Sequence, residues 1–491
     1  MQLSNESGHH PIHEGPMIRN AVAAAMMILA AVAGEASAQE TEPRPPRSIP
    51  SDTIVAVPDT AGFSIGLSRG RGRLVVGSGK TYNRVEGLAM HAGPAFTDSS
   101  DMIRFSAEAY GILRSADTFR WDARNVGHHI ALELRTLSGR GPALRLTGYD
   151  VVGPVEDWQM PRGEGGIASF LFHRDYRDHF GRHGASATAS YVLDERLQFS
   201  LAFSDERWSS LPVRQVLTVF RNNHLWRANP TMDDGRARTV TARGLLDTRN
   251  DPRSPATGWL ARVEYEHGDA AYDAFGPTSP VARFGAPPDS RYGRMLADVR
   301  RYNRISPASQ LNFRVVAAGW LHGDELPLQR RFSVGGAGTI PGVDFRDTGI
   351  SPDVLTCSAG DAPPGAPAQC ERMLLLQTEY REELPFRPGT IFGGTPIRIR
   401  SAALTLHPVL VAFADIGRGW LLPPRPGSLP APDVAGSREL VYSTGRIPPL
   451  STFSADLGIG VDLGLFGVYV AKSVSESGEP VNLIFRAHAR F

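Results

Sequence analysis

The sequence predicts an all-β fold, a transmembrane antiparallel β-barrel of about sixteen strands. Three features predict it: an N-terminal export signal, long segments of strict two-residue alternation, and an aromatic residue closing the last of them.

The export signal comes first. Arg19 precedes an apolar run from Ala21 to Gly34, and Ala36-Ser37-Ala38 forms a small-x-small cleavage site before Gln39. The run is too short to cross a bilayer and has the order of a secretory signal peptide. Residues 1–38 are therefore expected to be removed. The functional start is expected at Met17, because Met1 to Pro16 is polar and His-rich. No Cys stands at the cleavage site, which argues against a lipid anchor. Residues 39–61 read as a Pro-rich linker (Glu42-Pro43-Arg44-Pro45-Pro46), and residues 62–491 as the barrel.

Alternation carries the fold. In the final segment Val481, Leu483, Phe485, Ala487, Ala489 and Phe491 share one face, while Asn482, Arg486, His488 and Arg490 share the other. Phe453 to Leu465 alternates apolar residues with Ser454, Asp456, Gly458, Gly460, Asp462 and Gly464. Leu197, Phe199, Leu201 and Phe203 repeat the pattern, as do Leu311, Phe313 and Val315. These segments reach about ten residues, the length a tilted strand needs to cross hydrocarbon. Soluble strands average about five or six. The chain is 41% hydrophobic, yet no later stretch is long and apolar enough for a membrane helix. A barrel escapes that filter because only every second residue meets lipid.

Strands are predicted at 81–93, 102–113, 126–137, 143–152, 184–194, 197–206, 238–247, 257–267, 291–304, 309–321, 372–384, 402–416, 453–465, 466–474 and 481–491. The count is odd and single-chain bacterial barrels have even counts, so one more strand is expected within 63–76. Residues 167–180 read as a helix, expected on the periplasmic side. Cys357 and Cys370 flank a Pro/Gly/Ala-rich segment that cannot be a strand. In an oxidising compartment they are expected to form a disulfide.

The formal net charge of +1 gives no reason to expect nucleic acid. Catalytic constellations do not stand out. Gly335-Gly336-Ala337-Gly338-Thr339 lacks the Lys of a phosphate loop, no Gly-x-Ser-x-Gly elbow occurs, and the adjacent His128 and His129 of a strand face opposite sides. No cofactor, metal or catalytic residue is expected.

Four segments carry a resemblance. Asp247-Thr248-Arg249-Asn250-Asp251-Pro252 leads through a turn to Gly258-Trp259. Phe332 to Asp347 contains Gly335, Gly336, Gly338, Thr339, Ile340, Pro341 and Gly342. The C-terminus ends in Arg490-Phe491, and Tyr82-Asn83-Arg84-Val85-Glu86-Gly87-Leu88 lies near the first strands. Together they resemble the bacterial surface antigen, or outer-membrane assembly-factor, superfamily of insertases and two-partner-secretion translocators. The resemblance covers roughly residues 80–491 and implies an outer-membrane location.

It also implies that 332–347 folds into the lumen. The family places an arginine at the loop tip, facing acidic residues on the inner wall. Here Pro341 stands in that place, while the wall positions match at Glu379 and Asp415. Arg346 is expected to supply the missing charge, with Arg331 as second choice. Phe491 is expected to be the signal read by the barrel-assembly machinery. The implied role is protein translocation or outer-membrane assembly, in contact with outer-membrane lipid and with an exported polypeptide or a periplasmic partner. A passive pore and a barrel-embedded lipid hydrolase are the rival readings.

Overall fold

A computed structural model of the chain describes residues 67–273 except 70, 120 and 253, and then 289–345, 354–355, 370–385, 398–399, 402–403, 408–422, 439–440, 447–486 except 465, 476 and 477, and Arg490. The signal and linker segments lie outside these residues, as do Arg346, Cys357 and Phe491.

One antiparallel sheet of 17 strands dominates. In chain order these are β1 Leu67–Arg69, β2 Gly72–Asn83, β3 Gly87–Ser99, β4 Ile103–Arg114, β5 Val126–Thr136, β6 Gly141–Pro154, β7 His179–Val192, β8 Leu197–Ser210 and β9 Gly235–Asp247. Then come β10 Gly258–Tyr272, β11 Asp289–Arg304, β12 Ser309–Gly323, β13 Arg372–Glu383, β14 Val409–Trp420, β15 Ser454–Asp462, β16 Gly467–Ser473 and β17 Asn482–Arg486. Each strand pairs with its neighbours in sequence. Among the described residues no ladder joins β17 to β1 or β2.

Most predicted strands lie where alternation placed them. The first is a correction: 81–93 straddles a hairpin turn between β2 and β3. The Asn83 side chain accepts the backbone N–H groups of Val85 and Glu86, both at 2.9 Å, and Gly87 takes a positive φ of 66°. Local side-chain capping here outcompetes the ladder. The range 63–76, where one extra strand was expected, holds both β1 and the first part of β2, so the described sheet has 17 strands rather than an even sixteen. The Asp247-to-Gly258 turn forms as expected. Arg249 pairs with Asp247 at 2.9 Å, and Asn250 caps the N–H groups of Ala256 and Thr257 at 2.9 Å.

Burial is inverted relative to a water-soluble protein. Exposed apolar side chains meet across neighbouring strands: Leu132 beside Leu146, Leu134 beside Leu144, Phe203 beside Val240, Ile459 beside Val470 and Val470 beside Leu483. The opposite face buries Glu206, Glu266, Asp298, Arg314, Glu379, Asp415 and Asp456. A continuous exposed apolar surface of this kind is stable only against other apolar matter. The outward face turns polar at His183 on β7, at Asp205 on β8 (level with Arg238 on β9), and at His267 on β10, one outward row lower again. That stepwise drift is what tilted strands require if the apolar belt is to stay level.

The turns at 100–102, 137–140, 193–196, 305–308 and 463–466 are short. They share one end of the sheet with 384–408. The connections 155–178, 211–234, 324–371 and 421–453 share the other. Long connections mark the extracellular end. The helix α1, Arg162–Phe172, belongs to 155–178 and so emerges from the end that carries most of the long connections. Sequence placed this helix at 167–180; it forms five residues earlier, and His179 and Phe180 open β7 instead.

Candidate functional site: a filled lumen and an open seam

The segment Phe332–Phe345 enters the lumen. Gly335 and Gly336 take φ values of 113° and 97°, a backbone open mainly to glycine. They fold the tip back on itself: Gly336 N–H donates to the Ile340 carbonyl at 3.1 Å, and Gly335 N–H to Thr339 Oγ1 at 2.9 Å. Val334, Ile340 and Val343 pack against Val316, Met373 and Leu375 of the wall.

Polar contacts fix the tip around its rim. Gln377 donates to the Thr339 carbonyl at 2.8 Å, Asn482 to the Pro341 carbonyl at 3.2 Å and Arg486 to the Ala337 carbonyl at 3.3 Å. Gly342 N–H donates to the Asp456 carboxylate, and Ser473 N–H donates to the Gly342 carbonyl at 3.1 Å. A Cβ at Gly342 would lie 2.5 Å from Asp456 Cβ, so the backbone touches the wall directly. On the other side Glu156 accepts from Ser333 N–H at 2.7 Å and Oγ at 2.5 Å. The expected inward loop is therefore present and held at both flanks.

Glu379 and Asp415 both face inward and are buried. Glu379 accepts from Asn312 at 3.2 Å and lies 3.5 Å from Arg381. Asp415 is paired with Arg490, whose guanidinium also stacks 3.6 Å from the Phe413 ring centroid. Arg346 lies outside the described residues. Arg331, the second choice, stays at the loop base, bonding the Leu326 carbonyl at 2.9 Å and Glu325 at 3.3 Å. The cation beside Asp415 thus comes from the penultimate residue. Sequence placed Arg490 on the polar face of the last strand without giving it this partner. Asp456 also escaped notice: it stands opposite Asp415 in the ladder and binds the loop tip. Among the described residues, one oxygen each of Glu379, Asp415 and Asp456 is buried without a hydrogen-bond partner.

Cys370 is buried, disulfide-bonded and bridged by backbone hydrogen bonds to Phe332, at the start of the inward segment. Beside it the lumen wall is a lattice of paired ions. Arg314 meets Asp298 at 2.9 Å and Arg330 meets Glu266 at 2.7 Å. In the turn after β2, fully buried Arg84 meets Asp175 at 2.9 Å and Asp178 at 3.0 Å. Burial alone would raise the Asp175 carboxyl; His179 and Arg84 outweigh it and hold the group well below the usual carboxylate range.

The seam between β2 and β17 is occupied by α1. Phe170 meets Tyr82 of β2 edge to face at 5.0 Å. Glu164 pairs with Arg486 of β17, and Phe172 stacks on Phe485 of β17 at 5.5 Å. One helix therefore touches both strands that would otherwise close the wall.

No protein-family model matches the chain, and no curated protein matches it. Solved structures similar to it include BamA from Haemophilus ducreyi lacking POTRA domains 1-3, at 14% identity and a TM-score of 0.47, over 85% of this chain and 70% of that one. CdiB from Escherichia coli is similar at 10% identity and a TM-score of 0.33, over 86% of this chain and 63% of that one. CdiB from Acinetobacter baumannii is similar at 10% identity and a TM-score of 0.32, over 84% of this chain and 58% of that one. This chain spans less than two thirds of both CdiB chains.

Proposed function

We propose that the chain is an outer-membrane barrel that moves or inserts polypeptide, working at its seam rather than through its lumen. The carrying observation is an inward loop seated in the lumen beside a wall in which, among the described residues, no ladder joins β17 to β2. A passive pore needs the reverse, an open lumen inside a closed wall, because unpaired strand edges in lipid are costly. The motif resemblance supports the same reading. The partners proposed are outer-membrane lipid, the barrel-assembly machinery during biogenesis, and an exported polypeptide or a periplasmic partner. No catalytic role is proposed; lipid hydrolysis by the purified protein would overturn that part.

The test uses full-length protein in lipid vesicles, challenged with an unfolded outer-membrane barrel diluted from urea. Faster insertion of that client than into protein-free vesicles is expected. A steady open conductance in planar bilayers with no acceleration of client folding favours the pore instead.

A further inference from the structure

Helix α1 fills the seam without completing it. A strand laid there would pair with the edge of β2 beyond the Gly72–Leu74 stretch that β1 covers, or with β17. A helix satisfies its own backbone hydrogen bonds and offers the edges only side chains. Its hold on β2 is the Phe170–Tyr82 contact, and its hold on β17 is the Glu164–Arg486 pair with the Phe172–Phe485 stack.

α1 is also weakly made. Gly163, Gly165 and Gly166 fall in its first five residues, each about 1 kcal/mol less favourable than Ala in a helix. Pro161 precedes it and supplies no side-chain cap. Its C-terminal end is tied to the connection after β8, where Val219 N–H donates to the Phe170 carbonyl at 2.9 Å and Phe220 N–H to the Leu171 carbonyl at 3.1 Å. The helix stands because of what it packs against. Such elements belong to the low-stability end of a fold, the part that opens first.

We propose that α1 is an autoinhibitory wedge: it occupies, from within the same chain, the place that an extended segment of a client polypeptide takes by adding to a free strand edge, and Glu164–Arg486 is its latch. This rests on the seam being the working edge. The matching occupant is an extended segment with alternating apolar and polar residues, since one of its faces would meet lipid and the other the charged lumen.

The test begins without client, as current fluctuations of the full-length protein in planar bilayers. Glu164→Arg and Arg486→Glu should each raise the frequency of brief openings by at least about tenfold, because each leaves a buried charge unpaired. The double exchange should return it toward the original level. Gly163→Ala should lower it, since a Cβ there meets nothing within 4 Å and the helix is strengthened. Folded single variants as quiet as the parent overturn the wedge. Should the charge variants fail to fold, Phe172→Cys with Phe485→Cys supplies the second arm. Oxidation should abolish the fluctuations and block acceleration of client folding, and unchanged fluctuations after cross-linking overturn the proposal. A cross-linked protein that still accelerates client folding overturns the wedge and leaves the proposed function standing. A wedge that opens in a protein without effect on any client leaves the wedge standing and removes the function.

Discussion

Arg490, four residues beyond the end of β17, pairs with Asp415 of β14. Arg486 stands opposite Gly467 in the β16–β17 ladder, whereas Asp415 shares a row with Asp456 and Ser473, at the other end of β16. Arg490 nevertheless meets Asp415 in that row, with its side chain buried. The pair ties the C-terminal end to the wall that holds the inward loop.

Removing the cation leaves Asp415 and Asp456 side by side and buried. Arg490→Ala is expected to cost roughly 3–5 kcal/mol, the usual penalty for breaking a buried pair at one end. Heating until the folded, heat-modifiable band disappears measures it. Exchange of charges, Arg490→Asp with Asp415→Arg, should recover part of the loss. An unchanged melting temperature for Arg490→Ala would show the pair to be incidental.

Gly342→Val tests the loop seat. The substituent has no room beside Asp456 and the Lys472–Ser473 backbone, so the tip must back away from the wall. Overpacking of this kind costs about 1–3 kcal/mol. The loop should become cleavable by added protease, and bilayer conductance should rise. Full protease resistance with parental conductance would place the tip elsewhere.

Most of the wall was legible in the sequence, because alternation carried over ten or more residues, together with an export signal, fits a membrane-crossing strand better than the shorter strands of a soluble sheet. The inward loop was legible only through the resemblance of 332–347 to the family's lumen loop; its glycines by themselves mark a turn, not a direction. Sequence could not give Arg490's partner, since Arg486, His488 and Arg490 share the last strand's polar face and nothing local ranks them. Nor could it give the seam. Whether β17 pairs with β2 is decided by what α1 does between them, and the helix signal in 162–172 is blurred by its glycines. The first predicted strand failed for a similar reason, as one Asn side chain bending the chain at 83–87 is invisible to a periodicity count.

Asp233 provides a pH handle outside the strands. Burial raises its carboxyl to about 6, with the Leu328 N–H at 2.8 Å pulling the other way. A carboxyl raised in the folded state favours folding below its unfolded value near 4, and that contribution is lost as pH rises through about 6. The loss is on the order of 2–3 kcal/mol. Parent protein should therefore lose stability between pH 4 and 6 relative to Asp233→Asn, and the variant should be the more stable of the two at pH 8. Parallel melting curves for the two proteins across that range would contradict this.

The disulfide expected from sequence has Cys370 at the mouth of the inward segment. Mass spectrometry of non-reduced peptides should recover Cys357 joined to Cys370. Replacing both with Ser should lower stability by about 3 kcal/mol. Recovery of two free thiols from native membranes would remove this brace.

The Glu164–Arg486 pair joins residues 322 positions apart. Neither partner can be satisfied until the last strand has been delivered, so the chain carries its own proofreading of length. A product cut short anywhere before β17 keeps a buried carboxylate at the helix and lacks the cations of both Arg486 and Arg490. Contacts of such separation form late, after long loops have closed. Loss of β17 would therefore leave the helix near the beginning of the barrel without this charge partner.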